Sequence, residues 1–106
     1  MIFVVQDNPV LNFSSATRWG KLKSIFQPRE NLGVDCNWAV ERATAALRTF
    51  GDADYLILSG DPLAIGLCVH LAATANEGRV QILKWDRQEK LYYEVTLALV
   101  SPLEVQ

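Results

Sequence analysis

The chain has 106 residues, of which 50% are hydrophobic and 21% are charged, a composition typical of one small globular domain. Its net charge of −2 comes from 10 basic and 12 acidic side chains that are mixed along the sequence. There is no basic patch for nucleic-acid phosphates, and the acidic excess is too small for a mimic of DNA. We therefore expect residues 1–106 to form a single domain that does not bind nucleic acid.

The apolar segments and the cysteines predict a cytoplasmic protein with no membrane partner. Residues 1–5 are apolar, but they lack a basic region and meet the turn former Asp7 too early for a signal peptide. The longest apolar run, 63–73, is shorter than the ~20 residues that span a bilayer. Cys36 and Cys68 have no CxxC spacing, so we expect buried, reduced thiols.

The first third of the chain predicts two strands. Residues 2–6 are a β-branched and aromatic run, and residues 10–17 show no clear period and are expected to form a loop. Residues 19–26 alternate between two faces in the manner of a strand. Because Lys21 and Lys23 would deter edge-to-edge pairing, this strand is predicted at an edge of the sheet.

The next segment predicts the first helix, capped by Asp35 or Asn37 and extending to Phe50, where Gly51 ends it. Apolar residues recur there at helical spacing and predict the buried face of this helix. The predicted buried residues are Cys36, Val40, Ala43, Ala46, Leu47 and Phe50.

A second strand, turn and helix follow in close succession. Residues 55–59 form an apolar β-prone run, Asp61 is placed to cap a helix, and Pro62 suits its first position. This helix, to about Ala75, is apolar nearly all round, so we expect it to be buried. Gly66 weakens a helix by about 1 kcal/mol relative to alanine. This suggests close packing of the helix on the strand or close approach of a ligand, and we favour packing.

The last elements complete an α/β fold. Residues 79–85 read as a strand that forms a βαβ unit with the strand 55–59 and its helix. A charged tip at 86–90 joins residues 79–85 to a final strand at 91–99, which predicts a C-terminal β-hairpin. The expected fold is a mixed sheet of four or five strands with both helices packed against it.

The candidate site lies at the carboxyl ends of the two strands of the βαβ unit. Ser59, Gly60 and Asp61 follow the first strand, and Trp85 and Arg87 lie at the end of the second. Parallel neighbours end at the same edge of a sheet, so these residues should be close together. A helix N-terminus, a carboxylate, an indole and a guanidinium suit a nucleotide-like ligand. The alternative is structural: Asp61 caps its helix, Arg87 pairs with a neighbouring acid, and nothing binds.

The hairpin predicts an interface. Trp85, Tyr92 and Tyr93 flank a tip that contains Arg87, and aromatic residues beside an arginine are typical of interface hot spots. The aromatic side chains could equally stack a nucleobase or pack across the strands. Because the chain has more apolar surface than one small core hides, we expect a homodimer or higher assembly, with Tyr92 and Tyr93 in its interface.

Catalytic chemistry has little support in the sequence. His70 is the single histidine, and nothing in the spacing brings a serine or a carboxylate to it, as a general base requires. No second histidine or paired cysteine supplies a metal site. We predict no catalytic residue, no metal and no cofactor.

The C-terminal half resembles a group of small bacteriophage proteins. The matching segments are Asp54-Tyr55-Leu56, Ser59-Gly60-Asp61-Pro62-Leu63-Ala64-Ile65-Gly66, Ala72-Ala73, Asn76-Glu77-Gly78-Arg79-Val80, Leu83-Lys84-Trp85-Asp86-Arg87-Gln88-Glu89 and Tyr92-Tyr93. The resemblance covers less than half of the chain and implies a viral origin and no known activity. It places the protein in the host cytoplasm.

A second, local likeness is to tetrapyrrole methylases. Those enzymes carry Ser-Gly-Asp-Pro after a strand where S-adenosylmethionine binds, and residues 59–62 match this motif. Their fold needs two α/β domains and a longer chain than this one. The likeness implies only that an adenosine-like ligand can lie at such a turn.

Two functions follow from these observations. The first is a phage accessory protein that acts by binding without catalysis, either inhibiting a host protein or sequestering a nucleotide-like small molecule. The second is a small nucleotide- or S-adenosylmethionine-dependent enzyme that uses the turn at 59–61.

Overall fold

The computed structural model describes residues 1–99, and residues 100–106 of the predicted domain lie outside this range. Eight elements follow one another along the chain: β1 (Ile2–Gln6), a 3₁₀ helix (Ser14–Trp19), β2 (Leu22–Phe26), α1 (Asn37–Leu47), β3 (Tyr55–Ile57), α2 (Pro62–Ala75), β4 (Arg79–Asp86) and β5 (Leu91–Ala98).

The strands form one five-stranded sheet in the order β2-β1-β3-β4-β5. The pairs β1–β2, β1–β3 and β3–β4 are parallel, and β4–β5 is antiparallel. This confirms the predicted α/β class, the mixed sheet, the βαβ unit and the C-terminal hairpin. It also confirms that the lysine-bearing strand lies at an edge.

The two faces of the sheet are covered by different connections. Both α-helices pack on one face, where the shared core includes Phe3, Leu47 and Cys68. The 3₁₀ helix packs on the opposite face, where Ala16 lies in a second core with Ile2, Val4, Ile57, Leu83 and Tyr92. The chain therefore leaves β1 over one face and leaves β3 over the other, in opposite directions along the sheet. This makes the gap between β1 and β3 the topological switch point of the fold.

Strand β3 is shorter than predicted, and its early end leaves a gap in the sheet beside β4. The Ser59 N–H donates to the Ile57 carbonyl at 3.1 Å, a three-residue turn that takes the chain out of the sheet at Leu58. Only Leu56 pairs with β4, opposite Ile82. Within the described residues, β4 beyond Ile82 is therefore paired on its β5 side alone.

The segment before β2 differs from the prediction. Residues 14–19 form a 3₁₀ helix in place of a loop, and Trp19 belongs to it, so β2 begins only at Leu22. Short polar side chains explain this local structure. The Asn12 Oδ1 accepts from the Ser14 N–H at 2.9 Å, and the Thr17 hydroxyl donates to the Ser14 carbonyl at 2.7 Å.

Helix α1 ends earlier than predicted, and its N-cap is a different residue. Cys36 occupies the N-cap position without a side-chain hydrogen bond, so the predicted caps Asp35 and Asn37 were wrong. The helix ends at Leu47, and Phe50 is buried in the turn that follows. Its inward face is carried by Ala39, Ala43 and Leu47, whereas the predicted Val40 is exposed.

Helix α2 begins as predicted but is buried on one side only. The Asp61 carboxylate accepts from the Leu63 N–H at 2.9 Å, and Pro62 is the first helical residue. Ala64, Cys68 and Ala72 face the core, whereas Leu63 is 53% exposed. The expected close packing at Gly66 was wrong, because an added Cβ would meet nothing within 4 Å.

Candidate functional site

Two gaps lie next to each other at the carboxyl edge of the sheet. The first, which we call the β1/β3 crevice, lies between Gln6 at the end of β1 and the turn Ser59–Asp61 after β3. The second, which we call the β3/β4 pocket, lies between the end of β3 and the outer half of β4. Ligands of open α/β sheets bind at this edge, close to the switch point.

The β1/β3 crevice is filled by the Gln6 side chain. Its Oε1 accepts from the Asp61 N–H at 2.8 Å, and its Nε2 donates to the Gln27 and Glu30 carbonyls at 3.0 and 2.8 Å. The Ser59 hydroxyl donates to the Gln6 carbonyl at 2.6 Å. The polar groups that would hold a ligand at the switch point are therefore bonded within the chain.

The position of the Gln6 side chain explains why residue 60 is a glycine. Its φ of +97° lies in a region that favours glycine, and a Cβ at this position would overlap the Gln6 side chain. The close approach that glycine permits here is made by the protein's own glutamine. At the N-terminus of α2, the N–H groups of Asp61 and Leu63 are both bonded within the chain, to the Gln6 Oε1 and to the Asp61 carboxylate.

The β3/β4 pocket is open and has a volume of about 810 Å³. Small-molecule sites in proteins are typically about 300–1,000 Å³. Its lining comes from three segments: Val10, Leu11 and Asn12 after β1; Ile57, Leu58 and Ser59 at the end of β3; and Ile82, Leu83, Lys84, Trp85, Arg87, Tyr92 and Val95 of the hairpin. The pocket exists because β3 stops at Ile57 while β4 continues to Asp86.

The charged groups in the lining are both basic. Lys84 and Arg87 contribute to the wall, and no aspartate or glutamate is among the described lining residues. Within residues 1–99, Arg87 makes no salt bridge. The adjacent Asp86 carboxylate is directed into the hairpin loop, where it accepts from the N–H groups of Gln88 and Glu89 at 2.9 and 3.2 Å. The charged side chains in the described lining are therefore all positive.

The aromatic wall is made of Trp85 and Tyr92. Their rings meet edge to face with centroids 5.0 Å apart. Tyr92 is 7% exposed, and burial raises the pKa of its hydroxyl. Trp85 is 41% exposed and presents an indole to the pocket. Tyr93 lies on the other face of β5 and is 40% exposed.

The structure divides the predicted site into two groups. Ser59, Trp85 and Arg87 line one pocket, whereas Gly60 and Asp61 lie outside its lining and belong to the crevice that Gln6 fills. Val10 and Leu11, which form the facing wall, were not predicted from the sequence. Their signal is the presence of two neighbouring apolar side chains in a segment otherwise expected to be a polar loop.

Other reactive side chains lie away from the pocket. His70 is exposed on α2. Both cysteines are free thiols, and burial raises the pKa of Cys68 to about 12, which makes it a poor nucleophile. Among residues 1–99, no three His, Cys, Asp or Glu side chains come together as a metal site requires.

The fold and the pocket define a small α/β protein with an open, basic and aromatic cavity at the carboxyl edge of its sheet. Residues 1–99 match the family described as Phage Pam3 gp32-like protein, so the chain belongs to this family of bacteriophage proteins. The phage resemblance inferred from the sequence is thereby confirmed. Neither the curated proteins nor the solved structures gave a match. In the part of the chain that the structure describes, no helix has the length and apolar character needed to cross a membrane.

Proposed function

We propose that this phage protein acts by binding, without catalysis, and that the β3/β4 pocket takes a nucleotide-like small molecule in the host cytoplasm. The observation that carries the proposal is the composition of the pocket wall: an exposed indole beside Lys84 and Arg87, with no acidic residue among the described lining residues. The free cysteines Cys36 and Cys68 accord with a reducing compartment.

Each part of a nucleotide has a partner in this wall. The exposed Trp85 indole can stack on a base, an interaction of about 1–3 kcal/mol. Arg87 and Lys84 can hold a phosphate, for which the guanidinium gives two parallel hydrogen bonds. The Ser59 hydroxyl already donates to the Gln6 carbonyl, so it is left to accept from a ligand hydroxyl or amino group.

The two alternatives use other surfaces. An S-adenosylmethionine-dependent enzyme would use the turn at 59–61, but the Asp61 N–H and carboxylate are already bonded to Gln6 and Leu63. Inhibition of a host protein would rest on the exposed aromatics of the hairpin, such as Tyr93. The pocket supports the small molecule more directly, because it is concave and of suitable size.

A ligand titration tests the proposal. Thermal shift and calorimetry are carried out with AMP, ADP, cyclic AMP, NAD, S-adenosylmethionine and the uncharged nucleoside adenosine. A ligand at 100 times its Kd stabilises the folded state by about 2.7 kcal/mol, which a thermal scan resolves. We expect phosphate-bearing compounds to bind more tightly than adenosine, and added salt to weaken them. Binding of S-adenosylmethionine alone would favour the enzyme, and binding of none would refute the proposal.

Paired variants locate the binding. Arg87→Ala should weaken ADP binding roughly tenfold, because it removes a charged hydrogen-bond donor. Its control is Arg48→Ala, an exposed arginine of the segment after α1 that lies outside the pocket. Trp85→Ala should weaken ADP and adenosine alike, whereas its control Trp38→Ala changes neither. Equal losses in a variant and its control would place the ligand elsewhere.

A further inference from the structure

The free edge of β5 supports an inference that does not depend on a ligand in the pocket. The strand runs for eight residues, Leu91–Ala98, and pairs with β4 along its whole length. In the described chain no strand lies on its other side. A long unpaired edge is a template for pairing with another chain, and proteins normally protect it.

The two edges of the sheet differ in this respect. At the β2 edge, Lys21 and Lys23 are exposed and the strand has only five residues. Strand β5 contains no lysine and no proline, and Glu94 is its one charged residue. The Glu94 carboxylate accepts from the Trp19 indole and the Tyr55 hydroxyl, which holds it on the face of the 3₁₀ helix. Within residues 1–99, the β5 edge therefore has none of these protecting features.

One side of this strand is apolar throughout. Because side chains alternate along a strand, every second residue shares a face. The residues on the helix-bearing face are Leu91, Tyr93, Val95, Leu97 and Leu99. Leu91, Tyr93 and Leu99 are 44%, 40% and 46% exposed, so the stripe is only partly covered by the chain itself.

We propose that a second copy of this chain covers the β5 edge, pairing antiparallel about a two-fold axis at Val95. This register sets Leu91 opposite Leu99 of the second copy and Tyr93 opposite Leu97. It joins the two apolar stripes over their full length and continues the sheet across both copies. Of the two tyrosines predicted to form an interface, Tyr93 lies on this stripe and Tyr92 is buried within its own chain.

Charge selects this register over its neighbours. An axis at Val95 places Glu94 opposite Thr96 of the second copy. An axis at Glu94 would set two carboxylates directly opposite each other, which destabilises an antiparallel pair. An axis at Thr96 would leave Leu91 without an opposite residue in the strand. Self-complementarity of this kind is what a two-fold dimer requires.

Sedimentation of the whole chain gives the first test. We expect about twice the 11.9 kDa of one chain at micromolar concentration. Thr96→Glu creates two like-charge contacts with Glu94 per dimer and should raise the dimer Kd about tenfold, whereas the isosteric Thr96→Gln should change it little. Circular dichroism of the separated monomer should show the same fold. A parent chain that remains monomeric at ~100 μM would overturn the proposal.

Cysteine cross-linking tests the register. Opposite residues of an antiparallel pair have Cα atoms about 4.5–5.5 Å apart, within reach of a disulfide. Val95→Cys should therefore cross-link two copies under mild oxidation, and the parent with its native cysteines should not. In this register Tyr93→Cys is four residues out of line with its own copy, roughly 13 Å away, and should not cross-link. Cross-linking at 93 as fast as at 95 would rule out the axis at Val95.

Discussion

The β1/β3 crevice and the β3/β4 pocket lie side by side at one edge of one sheet, yet the first is filled and the second is open. The crevice holds Gln6, which makes three hydrogen bonds to backbone groups there. The pocket is walled by Leu58, Trp85 and the loop at Val10, and the described residues leave about 810 Å³ open there. The topology of the sheet predicts that a ligand can bind at this edge. Which of the two gaps is open to a ligand depends on single residues.

The difference has a local cause in each case. At the crevice, a strand ends in a long amide side chain and faces a glycine that leaves room for it. At the pocket, the three-residue turn at Leu58 removes β3 from the sheet while the hairpin continues. The position where such sheets usually bind ligands is thus occupied by the Gln6 side chain, which stabilises the fold. The candidate site lies one strand further along the sheet, between β3 and β4.

The largest expected effect is at Gly60. Gly60→Ala forces an alanine to a φ of +97° and drives its Cβ into the Gln6 side chain. Backbone strain and overpacking each cost about 1–3 kcal/mol, so we expect a loss of about 4 kcal/mol of unfolding free energy. Urea denaturation measures it, and a loss below ~1 kcal/mol would show that the crevice is not tightly filled.

The next effect tests Gln6 itself. Gln6→Leu leaves the Asp61 N–H and the Gln27 and Glu30 carbonyls without their partner. Each unsatisfied buried group costs about 1–3 kcal/mol, and partial access of water reduces the sum to about 3 kcal/mol. The exposed Gln88→Leu serves as the control and should stay within about 0.5 kcal/mol. If both variants behave alike, the hydrogen bonds of Gln6 contribute nothing measurable.

A smaller effect of opposite sign is expected at Gly66. This glycine is exposed on α2, and a Cβ there meets nothing within 4 Å. Gly66→Ala should therefore stabilise the protein by up to about 1 kcal/mol through helix propensity and a less flexible unfolded chain. A loss of stability in the isolated monomer would mean that the surface at this helix is not open.

The smallest expected change in stability is at Asp52, which bonds neighbouring segments at the amino edge of the sheet. Its carboxylate accepts from the Asn76 amide at 2.8 Å and pairs with Arg79, and these bonds lower its pKa. A depressed pKa in the folded state gives stability above the unfolded pKa, and this stability is lost as the pH falls through the folded value. The advantage of the parent over Asp52→Asn should shrink from about pH 5 to pH 2. A constant difference across that range would contradict the pKa shift.

The sequence revealed local structure well and long-range contacts poorly. Asp61 and Pro62 predict the start of α2, and the charged tip between two β-prone runs predicts the hairpin. Both predictions succeed because each pattern lies within a few residues of the chain. The role of Gln6 was hidden, since its partners lie 21, 24 and 55 residues away. Only part of the pocket lining could be predicted from the sequence, because the position of Val10 depends on how the 3₁₀ connection packs over the sheet.

Tryptophan signals test directly our proposal that an anionic ligand with a flat ring binds in the β3/β4 pocket and not on another surface. The chain has three tryptophans, at 19, 38 and 85, and only Trp85 lines the pocket. Their indole N–H groups give separate signals in a nitrogen–proton correlation spectrum of labelled protein. Titration with ADP should move the Trp85 signal and leave the other two in place. Movement of the Trp38 signal alone, or of no signal at millimolar ADP, would show that ADP does not bind in the β3/β4 pocket.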